Sequence, residues 1–119
     1  MDSLAGAQTI EQTTRRLDAG ASTNTILVVD DDYPMRVFYR SYLLKAGYHV
    51  KLAKDGEEAI ALLSKDIALA VIDVVMPRLN GIELLKHIRQ AYPDMETIVV
   101  TGNGNVDEAV TAMKLGAFY

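Results

Sequence analysis

The chain has 119 residues, a formal charge of −4, half of its residues hydrophobic and no cysteine. That length supports one domain with a sizeable core rather than two, and the missing thiols exclude disulfides, thiol catalysis and cysteine-based zinc sites. The acidic balance argues against direct nucleic-acid binding, which needs a basic stripe to track phosphates. No apolar run approaches a membrane span, and the start of the chain lacks the apolar stretch of a signal peptide, so a cytoplasmic location is expected.

Residues 1–24 are rich in Ala, Ser, Thr, Gln and Gly, with only Leu4, Ile10 and Leu17 bulky and apolar, and read as a flexible leader to a domain over 25–119. Ile26-Leu27-Val28-Val29 is an unbroken apolar run, the mark of a strand buried on both faces, and it ends in Asp30-Asp31-Asp32. Pro34 suits the first turn of a helix capped near Asp32 or Tyr33. Met35, Phe38, Tyr39, Tyr42, Leu43 and Ala46 keep helical spacing until Gly47 stops it. Tyr48 to Ala53 reads as a second strand, Asp55-Gly56 as a turn, and Glu57 to Leu63 as a short helix with acids where its dipole favours them. Leu69-Ala70-Val71-Ile72 is a third strand, closed by Asp73.

A loop through Met76-Pro77-Arg78-Leu79-Asn80-Gly81 leads to a helix carrying Leu84, Leu85, Ile88 and Tyr92, ended by Pro93. Thr97 to Thr101 is a fourth strand. After the turn Gly102-Asn103-Gly104, Asn105 and Glu108 resemble a capping box for a last helix that Gly116 caps. Strands alternating with helices mean βαβ units, right-handed crossovers and a parallel sheet.

The sharpest chemical signal is the placement of acids at the ends of two apolar strands. Parallel neighbours share a carboxyl edge, where α/β folds bind ligands. Carboxylates crowded there repel by about 4 kcal/mol per pair at 4 Å and an effective dielectric of 20. Such a cluster needs a cation, a proton or another role; a hard divalent ion is the natural answer, and Mg²⁺ typically brings a phosphoryl group with it. The bland readings are cap or solvated acid for Asp32, packing for Tyr33, Tyr39 and Tyr42, and structural or solvated roles for His49 and His87.

Residues 25–119 resemble the receiver domain of two-component response regulators. The resemblance rests on Ile26-Leu27-Val28-Val29-Asp30-Asp31, on Asp73-Val74-Val75-Met76-Pro77-Arg78-Leu79-Asn80-Gly81, on Val99-Val100-Thr101-Gly102, and on Ala112-Met113-Lys114-Leu115-Gly116-Ala117. It implies a flavodoxin-like doubly wound sheet of order 2-1-3-4-5. It also implies a signalling module rather than an enzyme, which takes a phosphoryl group from a histidine kinase or phosphotransfer protein onto Asp73 and switches an output domain. Asp30, Asp31, Asp73 and the Val75 carbonyl would hold Mg²⁺, Thr101 would bond a phosphoryl oxygen, and the Gly102 amide would lie beside it.

Val75 and Asn103 occupy the positions that tune attack by water, and apolar Val75 implies slow self-dephosphorylation. The family's fifth strand, switch aromatic and active-site Lys are absent from this sequence, since Lys114 belongs to the preceding helix. A truncated form of a longer regulator is therefore expected, with an open sheet edge that invites self-association. A haloacid-dehalogenase-like phosphatase would use Asp30-Asp31-Asp32 as its D-x-D motif, but leaves the Asp73 to Gly81 stretch unexplained.

Overall fold

The computed structural model describes residues 24–73 and 81–100. Within them the elements run β1 (Thr25–Val29), α1 (Tyr33–Lys45), β2 (His49–Ala53), α2 (Gly56–Leu62), β3 (Ile67–Asp73), α3 (Gly81–Ala91) and β4 (Glu96–Val100). The four strands form one parallel sheet of order β2-β1-β3-β4, which is the flavodoxin-like order expected for these strands. Residues 1–23 of the leader, the loop over 74–80 and everything from Thr101 onward lie outside the described residues, so Val75, Thr101, Gly102, Asn103 and the last predicted helix are not among them.

Side-chain alternation divides the core between the two faces. On one face Ile26, Val28, Leu69, Val71 and Ile98 pack against Tyr39 and Leu43 of α1. On the other, Leu27, Val29, Ala70, Ile72 and Val99 meet Ala59 of α2 and Leu84, Leu85 and Ile88 of α3. β1 and β3 are buried on both faces, which is why their sequences are unbroken apolar runs rather than alternating ones.

The helix ends follow local chemistry. Beyond α1, Gly47 takes φ +96°. Its N–H donates to the Leu44 carbonyl and that of Tyr48 to Leu43, the paired bonds of a Schellman stop. At the start of α2, the Asp55 carboxylate accepts from the Glu58 N–H at 2.8 Å, while Glu58 Oε1 accepts from the Lys54 N–H at 3.0 Å. This reciprocal cap makes Gly56 the first residue of the helix rather than part of a turn.

β3 begins two residues before the apolar run that marks it, because Ile67 is already buried. The β1–β3 register slips once near the start of both strands. Thr25 is opposite Ile67 and Ile26 opposite Leu69, and pairing is then regular to Val29 opposite Ile72.

Candidate functional site

β1 and β3 end side by side. With Val29 opposite Ile72, Asp30 and Asp73 follow at the same height on neighbouring strands. Alternation carries both onto the α1 face, in line with Val28 and Val71 below them. Asp31 completes the group: each of Asp30, Asp31 and Asp73 offers a carboxylate oxygen, and all three oxygens lie within 4.8 Å of one another. The cluster is graded from inside to outside, with Asp30 buried, Asp73 half-buried and Asp31 exposed.

Asp30 is tied down at three points. Its N–H donates to the Ala53 carbonyl at 3.1 Å, extending the β1–β2 ladder by one bond. Its carboxylate accepts from the Asp32 N–H at 2.9 Å, and its carbonyl accepts from the Arg36 guanidinium at 2.7 Å. Burial pushes the Asp30 carboxyl above its ordinary value; the Asp32 amide opposes this, Asp31 and Asp32 push it further up, and Arg36 draws it down. The buried acid is thus held in one orientation, and among the described residues Arg36 is the cation that acts on it.

A nearby cation would relieve both burial and repulsion, and three oxygen donors at this spacing suit a hard divalent ion. Asp32 occupies the N-cap position of α1 but makes no side-chain cap bond, and remains an exposed acid beside the cluster.

The sequence gives no role to Arg36 and a different one to Tyr33. Arg36 stands in the first turn of α1, where the helix dipole disfavours a cation. That unfavourable placement was the available signal that it has a specific partner, here the Asp30 carbonyl. Tyr33 is not a packing residue: it is 61% exposed, with the Arg36 guanidinium 5.6 Å from its ring centre. Tyr39 does pack in the core, while Tyr42 is half-buried and stacked on Phe38. His49 and His87 are both exposed.

The sequence model of the response regulator receiver domain matches residues 26–119. The chain belongs to that family. It is 43% identical over 93 residues to the response regulator MprA of Mycolicibacterium vanbaalenii, an alignment covering 77% of this chain and 40% of that protein. It is 39% identical over 94 residues to the transcriptional regulatory protein CpxR of Klebsiella pneumoniae, covering 79% and 40%. This receiver therefore spans about two fifths of the length of the curated relatives it matches. Among solved structures it is similar to a response regulator receiver protein from Pseudomonas putida, with a TM-score of 0.75 and 34% identity over 82% of this chain and 84% of that one.

Proposed function

We propose that this receiver is the phosphoacceptor of a two-component response regulator, that Asp73 is the residue modified, and that Mg²⁺ is its cofactor. The observation that carries the reading is the convergence of three carboxylates within 4.8 Å at the carboxyl edge of a parallel sheet. Asp30 and Asp31 would hold the ion with Asp73, the Val75 carbonyl completing the protein ligands. Bound Mg²⁺ supplies charge neutralisation for the transferring group.

The remaining work falls to the chain. An Asp73 carboxylate oxygen attacks the phosphorus of a phosphohistidine donor. The new P–O bond forms as the P–N bond breaks, and the departing imidazole nitrogen keeps the electron pair and takes up a proton. Asp73 suits the role by position, half-buried at a strand end and so reachable from the edge but fixed by the sheet. Arg36 and the Asp32 amide hold the Asp30 backbone and carboxylate still, so the ion-binding oxygens need not reorganise. Thr101 and the Gly102 amide would receive the phosphoryl oxygens. A histidine kinase or phosphotransfer protein is the donor, an output region of the same polypeptide the target, and the cytoplasm the setting.

Incubation with Mg²⁺ and acetyl phosphate, read by intact mass and hydroxylamine lability, tests this. One phosphoryl group should add to the wild type and none to Asp73→Asn. Modification that survives in Asp73→Asn but is lost in Asp30→Asn would support the phosphatase-like alternative instead.

A further inference from the structure

Tyr39 is among the largest side chains of the core, 1% exposed, and among the described residues its hydroxyl has no hydrogen-bond partner. Burying a hydroxyl without a partner costs about 1–3 kcal/mol, and phenylalanine would fill the same space without that cost. The polar atom therefore asks for an explanation.

Its surroundings supply one. The ring packs with Ile26, Val28, Leu69, Val71 and Ile98 on the α1 face of the sheet, the face on which Asp30 and Asp73 are the next residues beyond Val28 and Val71. A helical side chain leans toward the amino end of its helix, and α1 starts at that same edge, three residues after Asp30. The tilt directs the hydroxyl upward, toward the floor of the acidic cluster. Both carboxylates act on it: burial first, then the charges of Asp30 and Asp73, push the phenol up to about 12. At neutral pH the group is therefore a donor, lying near anionic oxygens.

We propose that Tyr39 is a positioning residue whose buried hydroxyl, unused in the resting site, becomes a hydrogen-bond donor to the oxygens of phosphorylated Asp73 and so stabilises the modified form. The inference rests on the phosphoacceptor reading given above. Phosphorylation adds acceptor oxygens and negative charge at the cluster. A donor already fixed in the core can meet them without new ordering cost, and in doing so ties α1 to the state of the site.

Tyr39→Phe removes the hydroxyl and leaves the ring. The full-length protein and this variant would be melted with and without excess acetyl phosphate and Mg²⁺, with intact mass reporting modification. Tyr39→Phe should accept phosphate on Asp73, and its unmodified form should melt at or above the wild type, because a partnerless buried hydroxyl is gone. Its gain in melting temperature on phosphorylation should be smaller by about 5 °C or more, the effect of one hydrogen bond to a charged group in a domain of this size.

In the wild type alone, a slowly exchanging Tyr39 hydroxyl proton should become visible by NMR on phosphorylation. Equal melting gains in the two proteins, or a lower melting temperature for unmodified Tyr39→Phe, would overturn the role of Tyr39 while leaving the phosphoacceptor reading intact. A wild type that takes up no phosphate would overturn both.

Discussion

The two faces of this sheet are built from the same strands yet end differently. On the α2–α3 face the apolar column closes on itself: Leu27, Val29, Ile72 and Val99 are covered by Leu84, Leu85 and Ile88, none of them more than 2% exposed. On the α1 face the column of Ile26, Val28, Leu69 and Val71 runs upward into Asp30 and Asp73, and its covering helix contributes a tyrosine, Tyr39, beside Leu43. α1 also carries Tyr33, Val37, Phe38 and Leu44, four of the five large exposed hydrophobic residues among those described. One face is arranged for stability, while the other gives up stability to keep charge at its rim. Apolar packing and clustered charge are thereby separated by the thickness of a strand.

Substitutions can sharpen or break that division. The largest effect belongs to the closed face. Leu85→Ala should cost about 2–5 kcal/mol in a urea titration, the usual range for a fully buried leucine. Whatever fraction remains folded should still bind Mg²⁺ with unchanged affinity, and a parallel loss of metal affinity would show that the faces are not separable.

Next comes Asp30→Asn on the other face. With repulsion of about 3.5 kcal/mol for a pair at 4.8 Å and an effective dielectric of 20, before screening, the metal-free variant should gain on the order of 2 kcal/mol at neutral pH. The sign follows from the raised carboxyl. A folded-state value above the ordinary 3.8 means that burying the charged form costs stability, and the cost grows as pH rises from 3.8 to the folded value and is complete above it. The advantage of the variant should therefore shrink as pH falls below that value and be gone below about 3.8. Melting curves across that range check it, and an advantage that persists at low pH would mean charge is not its cause. Mg²⁺ should raise the melting temperature of the wild type, and the same variant should lose most of that gain.

The smallest effect is expected at Asp55→Ala, far from the acidic cluster in chain order. Loss of the α2 cap should cost about 1 kcal/mol and leave Mg²⁺ binding alone.

Much of this division was legible in the sequence. Unbroken apolar runs identified β1 and β3 as doubly buried, their terminal acids marked the edge where three carboxylates converge, and helical spacing found α1 and α3. The boundaries near Gly56 and Ile67 were not legible, because one depends on a reciprocal cap and the other on burial by neighbouring elements. Within the site, the meeting of Asp30, Asp31 and Asp73 follows from strand order and was expected. The Arg36 contact and the partnerless Tyr39 hydroxyl were not, since helical spacing alone shows Tyr39 as one more apolar position on α1.

The register slip between β1 and β3 bears on how this molecule tolerates change. It lies at the foot of the strands, where Ala68 is skipped between Ile67 and Leu69, and the pairing above it is uninterrupted up to the acids. A spare residue at the foot works like slack in a rope tied firmly at the other end. Lengthening or shortening the connection through Ser64 and Asp66 can be taken up there before it reaches Asp73, so that end of the sheet is the place for an inserted tag or reporter.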